Sequence, residues 1–298
     1  MRAASAGSVL PTKPSPSIAR SSPENFRRDR RMPTFNLFMH TLRTNLAHVL
    51  LLSRQDLIDR HRENALGAAW LLIQPLTFVV LFSTVFSRFM RTRIGADADP
   101  YLYTVYLIGG LLTWNLFANL LNRLTPVYGS KAHLIRKISV DLWVMPLHIV
   151  LAEWAVYGIT MGFFAVFLMI IGHPIGVQWL ALPVIALLLS AFAYGVGIIL
   201  GTLDVFIPDI KNVLNILLQF GFWLTPVVYL ASILPPWAAK AMHLSPIFWA
   251  IDAVHGIIVW HQYPPAKELI GLALAACISL LASRLLLDRL QSDLRDTL

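Results

Sequence analysis

The chain alternates between long apolar runs and short polar breaks marked by Pro or Gly. Runs near ~20 residues can cross ~30 Å of hydrocarbon at ~1.5 Å per helical residue. Six qualify: 66–90, 101–122, 142–171, 179–203, 212–230 and 268–287. The turn-forming stretch 95–100 separates the first two, and His173-Pro174 separates the third and fourth. The preceding segment, 35–64, has a different pattern. Leu42, Leu46, Val49, Leu50 and Leu57 recur at near-helical spacing, while Arg54, Gln55, Asp56, Asp59, Arg60 and Arg62 crowd the other side. This predicts an amphipathic helix, too polar to span, lying at the membrane interface. Between the last two spans, 231–265 carries apolar patches at 237–244 and 247–260. Pro235-Pro236, Pro246 and Pro264-Pro265 bound them. Each is too short to cross. They read either as re-entrant or interfacial helices, with Trp237, Trp249 and Trp260 at the interface, or as a plain amphipathic loop.

Composition agrees with an all-α polytopic membrane protein. Hydrophobic residues make up 57% of the 298 and charged residues 13%, about half the charge of a soluble domain, which is ~25%. Mean hydropathy is +0.64. The net charge of +8 first suggests nucleic acid, but its placement explains it otherwise. With the N-terminus inside, 19 Lys and Arg fall on the cytoplasmic side and five outside. That asymmetry puts both termini in the cytoplasm and requires no nucleic-acid partner. Residues 1–33 are rich in Pro, Ser and Arg and have no apolar core of useful length. They read as a disordered cytoplasmic tail rather than a cleaved signal, ahead of a transmembrane domain over 34–298. The one cysteine, Cys277, permits no disulfide within the chain.

The chemical motifs are sparse. No glycine loop followed by Lys and Ser or Thr occurs to cradle a nucleotide phosphate, so no ATP hydrolysis is expected from this chain alone. HExxH, GxSxG and paired-Cys metal motifs are also missing, and no catalytic residue, cofactor or metal is assigned. Glu153 lies about ten residues into the third span, as a proton site or as a satisfied polar group inside the bundle. His148 is five residues away and does not share its face. Asp252 and His255 are the outer-side residues that a membrane-embedded transferase would need. Aromatic residues are frequent. Phe78, Phe82 and Phe86 recur every fourth residue on the first span. Trp114 and Phe117 lie on the second span, and Phe220 and Trp223 on the fifth. Such faces can stack on sugar rings in a pore, or serve as lipid-facing bulk.

Four blocks in order resemble the permease subunits of type-2 ABC transporters that export polysaccharide: O-antigen, capsule and teichoic acid. They are SRQDLIDRHRENALGAAWLLIQPL at 53–76, GLLTWNLF at 110–117, HLIRKISVDLWVMPL at 133–147 and GTLDVFIPDIKNVLNILLQFGFWLTPVVYLASILP at 201–235. The following HLSPIFWAIDAVHGII resembles the family's Asn-Pro segment, with Ser245 in place of Asn. Two departures stand out. Val140-Asp141 replaces the family's Phe-Pro, and Pro208 stands where Arg is common. The likeness covers about 40 to 288.

The resemblance implies a six-span permease working as a homodimer with two copies of a nucleotide-binding ATPase subunit. Its substrate would be a lipid-linked polysaccharide, moved across the cytoplasmic (inner) membrane. It implies that 130–140 is a coupling helix docking on the ATPase, with Leu134, Ile135 and Ile138 as the apolar knob and Arg136 and Lys137 at its rim. Asp209, in the loop 204–211, would be a second contact. The stretch 231–262 becomes a pair of re-entrant gate helices. The helix at 35–64 would guide the substrate headgroup, with Arg54, Arg60 and Arg62 suited to phosphate, and equally to lipid headgroups or the adjacent acids. Phe78, Phe82, Phe86, Trp114, Phe117, Phe220 and Trp223 would line the channel. The alternatives are a type-2 permease for a drug or lipid, a proton-coupled transporter in which Glu153 is essential, and a transferase.

Overall fold

The computed structural model describes residues 49–56, 58, 73, 77, 80, 81, 84, 101–137, 141–230 and 235–298, all within the compact unit Leu46–Leu298. The rest of the interfacial segment 35–64 and most of the first predicted span, 66–90, lie outside these residues. Every regular element among the described residues is helical. We name them α1 (49–56), α2 (Leu102–Leu124), α3 (Val127–Ser130), α4 (Ala132–Lys137), α5 (Leu147–Ile170), α6 (Leu182–Phe206), α7 (Ile210–Leu224), α8 (Pro236–Met242), α9 (Pro246–Ile258) and α10 (Ala266–Thr297). A short 3-10 turn at Val177–Ala181 leads into α6.

Among the described residues, α2, α5, α6 with its 3-10 turn, and α10 are long and apolar enough to cross a membrane. The bent pair α8–α9 makes a fifth candidate if counted as one span. The predicted fifth span, 212–230, needs correction. Its helix, α7, has 15 residues and stops at Leu224, a length of about 22 Å. The cause is local. Pro226 pushes the residue before it out of the helical region, and Thr225 is extended, with ψ at 138°. The freed carbonyls then need donors, and side chains supply them. Tyr103 donates its hydroxyl to the Val228 carbonyl at 2.6 Å. Tyr106 donates to the carbonyls of Pro226 and Tyr229 at 3.0 and 2.9 Å. Tyr229 closes the helix end by donating to the Leu224 carbonyl at 2.7 Å.

The third span also starts later than the pattern suggested. Residues 141–146 form turns, and α5 begins at Leu147, after Pro146. Asp141 accepts the Trp143 backbone N–H at 2.9 Å. This local side-chain bond competes with helix.

α2 is the axis of the bundle, packed against α5, α6, α7 and α9, while α6 packs along α10. Close contact requires small residues at the crossings. A Cβ on Gly195 of α6 would lie 2.4 Å from the Ser279 backbone of α10. The two apolar patches of 231–265 fold as α8 and α9, bent by 100°, and Pro opens each helix, where its missing N–H costs nothing. Eight of the 13 residues of α9 are buried, among α2, α6 and α10. A plain surface loop would not be buried so. The end of α9 is closed from afar: His173, in the α5–α6 link, donates Nε2–H to the Ile258 carbonyl at 2.9 Å.

Candidate functional site

The chemistry-bearing residues gather at the end of the bundle where α2 stops and α5 starts. Arg123 is in the last turn of α2. One guanidinium nitrogen donates to Glu153 Oε1 at 2.7 Å, and another donates to both Asp56 oxygens at 2.5 Å. Glu153 is 2% exposed, while Arg123 and Asp56 are 23% and 24% exposed. Glu153 therefore sits inside the bundle with its charge balanced, as the structural reading of this residue expected. In the sequence, Arg123 is only one of the charges assigned to the inside. Its partners are 67 and 30 residues away, a separation that leaves no local signal. Beside the triad opens a cavity of about 250 Å³, which Asn122, Ser130, Lys131 and His148 help to line. His148 donates Nδ1–H to the Met145 carbonyl at 2.6 Å.

The turn at 141–146 is held at the same end. Tyr128 donates its hydroxyl to the Leu142 carbonyl at 2.9 Å. Tyr194 of α6 donates to the Trp143 carbonyl. Arg284 of α10 reaches Asp141 at 3.8 Å and lies 5.9 Å from the centre of the Trp143 ring. Being half-exposed, that ion pair contributes little on its own. The two tyrosines bond to main chain, so they hold backbone position whatever side chains surround it.

The segment 130–140, expected to dock on an ATPase, contains a short helix, α4, Ala132–Lys137. Arg136 is exposed. Ile135 points the other way: it is 3% exposed and belongs to the main core. It anchors α4 and offers no surface for docking. The side chains of Leu134 and Lys137, and all of Ile138, lie outside the described residues. Asp209 is exposed just before α7. Its carbonyl accepts the backbone N–H of Asn212 and Val213, both at 3.0 Å.

The predicted aromatic set divides. Trp114 and Phe117 face into the subunit, 5% and 4% exposed. Trp114 meets Phe222 edge-on at 5.7 Å, and Phe117 stacks on Phe192 at 6.2 Å. In this conformation they pack the bundle. Phe220 and Trp223 on α7 are 65% and 62% exposed, and only Leu214 of that helix is buried. Phe78, Phe82 and Phe86 lie outside the described residues. Of the expected headgroup residues, Arg54 is exposed on α1, while Arg60 and Arg62 lie outside.

Of Asp252 and His255, the two residues expected on the outer side for transferase chemistry, His255 is committed to packing. His255 is buried, stacked at 3.6 Å on the Tyr106 ring, and donates Nε2–H to the Tyr106 carbonyl at 3.0 Å. A donor committed to a helix carbonyl inside the bundle is a packing device. Among the described residues, no group of three or more His, Cys, Asp or Glu could hold a metal.

A family model described as "ABC-2 type transporter" matches residues 47–259. The chain belongs to this family. An ABC-2 transporter chain is the membrane-embedded transport part, which fits the apolar helices and the missing nucleotide loop. Among curated relatives, an O-antigen export system permease protein of Klebsiella pneumoniae is 29% identical over 188 residues, 63% of this chain and 70% of the relative. A protein of the same name from Myxococcus xanthus is 21% identical over 257 residues, 84% and 95% of the two chains. An inner membrane transport permease of Escherichia coli K12 is 26% identical over 189 residues, 61% and 72%. As an ABC-2 transporter, the chain has multi-pass membrane helices and acts in transport.

Proposed function

We propose that this chain is the membrane-spanning subunit of an ATP-driven exporter of lipid-linked polysaccharide. It works in the cytoplasmic membrane as a homodimer, with two copies of an ATPase subunit and both termini inside. α3, α4 and the turn before α7, including Arg136 and Asp209, face the ATPase. α1, with Arg54, lies at the cytoplasmic interface near the phosphate of the lipid-linked substrate. The bent pair α8–α9 re-enters from the outer side. ATP-driven closure of the ATPase pair then shifts the permease between gate states, which is mechanical coupling rather than covalent chemistry.

The observation that carries this reading is the open aromatic face of α7. Phe220 and Trp223 stand exposed on a helix with one buried residue. Where two copies enclose a path, such rings offer flat stacking surfaces to sugars without demanding a register. The names of the Klebsiella and Myxococcus relatives support the same substrate class.

The test is complementation of a strain lacking the gene, followed by purification of the tagged chain. Surface polysaccharide should return, and a nucleotide-binding subunit should co-purify, with ATPase activity that the lone permease lacks. Restored drug or lipid efflux without surface polysaccharide would support the rival permease reading. Transport without any ATPase, abolished by Glu153→Gln, would support the proton-coupled one.

A further inference from the structure

We infer that Arg123 is a positioning residue that fastens α1 to the spans, so that α1, α2 and α5 move as one body. The guanidinium has two jobs set by burial. One arm balances Glu153, which is 2% exposed. A carboxylate so deep cannot keep its charge without a partner, so this arm fixes Arg123 whatever α1 does. The other arm is held out towards the surface and grips both oxygens of Asp56 at 2.5 Å. A two-oxygen grip restricts direction as well as distance. α1 is thereby attached through a side chain that is itself anchored in the bundle.

The neighbours give this attachment a use. α3 begins three residues after the end of α2. Ser130 and Lys131, where α3 runs into α4, line the same cavity as Asp56 and Arg123. Arg54 lies two residues before Asp56. A push on α3–α4 therefore reaches the helix that carries Arg54 through one ion-paired residue. This inference rests on the functional reading above for what pushes and what α1 meets. The attachment itself does not.

The experiment places spin labels at Leu50→Cys on α1 and Ser130→Cys on α3, both exposed positions, with Cys277 replaced by serine. Distances are measured on the permease in lipid nanodiscs, and export per ATP on the assembled complex. With Asp56 intact, and labelled chains diluted with unlabelled ones so that a dimer carries one labelled copy, one narrow distance distribution is expected. Asp56→Asn and Asp56→Lys should broaden it, Asp56→Glu should keep it narrow, and Glu153 stays paired in all three. Export per ATP should fall roughly fivefold or more in the first two, with assembly and basal ATP hydrolysis unchanged. An unchanged distribution in Asp56→Asn overturns the inference, and so does equal broadening in Asp56→Glu. Should Asp56→Asn not reach the membrane, Arg123→Lys, which keeps a charge for Glu153 but loses the second arm, gives the same measurement. If no variant and no wild type exports polysaccharide, the functional reading fails, while the distance data still decide the attachment.

Discussion

His255 of α9 lies directly over Gly110 of α2. A Cβ on Gly110 would stand 2.6 Å from His255 Nε2, the atom that donates to the Tyr106 carbonyl at 3.0 Å. The glycine that opens the block GLLTWNLF is thus the floor on which a helix from 145 residues later rests. Gly110→Ala should displace that ring and destabilise the permease by about 1–3 kcal/mol, as overpacking does. Gly158 is the control, since nothing lies within 4 Å of a Cβ there. Thermal unfolding of both variants in detergent should show a loss for Gly110→Ala and little change, or a gain, for Gly158→Ala. Equal midpoints would mean that the contact costs nothing to break.

Glu153 and Arg123 should behave as a structural pair. Removing one partner of a buried ion pair costs on the order of 3–5 kcal/mol. Glu153→Gln should therefore lower the amount of folded permease in the membrane, and Arg123→Gln should do the same. In the folded fraction, export per ATP should show an unchanged pH profile for Glu153→Gln. A selective shift of that profile at normal protein level would make Glu153 a proton carrier instead.

The aromatic residues should separate by face. Trp114→Ala and Phe117→Ala remove buried rings and should each cost about 3–5 kcal/mol, seen as lost protein. Phe220→Ala and Trp223→Ala remove exposed rings and should leave protein level unchanged while slowing export of long glycan severalfold. Surface polysaccharide measured against membrane protein level distinguishes the two. Normal export from both α7 variants would leave their rings as lipid-facing bulk.

On α4, two adjacent residues should fail differently. Ile135→Asp puts a charge into the core and should prevent stable folding. Arg136→Glu leaves the core intact and should weaken co-purification of the ATPase. If Arg136→Glu retains the ATPase at wild-type yield, α4 is not the docking element.

His261 predicts a modest acid sensitivity at the other end. Burial, and then the neighbouring His173, hold its ring pKa below the usual value. The rings are 5.0 Å apart. The folded state therefore binds this proton less readily than the unfolded chain. The stabilising contribution is complete above the ordinary histidine value of ~6.5 and declines as pH falls from there towards the depressed one. Unfolding midpoints at about pH 7.5 and 5.5 should differ less in His261→Gln than in wild type. An identical difference would show that the ring does not titrate with folding.

Much of the architecture was legible in the chain alone. Span length and the prolines of 231–265 depend on local composition, so they need no knowledge of what packs where. They identified α2, α5, α6 and α10 as crossing helices and anticipated α8 and α9 as short pieces. The resemblance supplied the family, which the match over 47–259 then established. Other features depended on contacts that periodicity cannot see. α7 ends at Leu224 because Pro226 breaks it and tyrosines from α2 satisfy the released carbonyls. Trp114 and Phe220 are alike in sequence terms, yet one is sealed against Phe222 and the other left open, because α2 is surrounded on its faces and α7 is not. Ile135 turned inward because α4 packs that face onto the main core. Arg123, Asp56 and Glu153 come from three distant segments, and only the packing of α1, α2 and α5 decided that three charges scattered along the chain are one group.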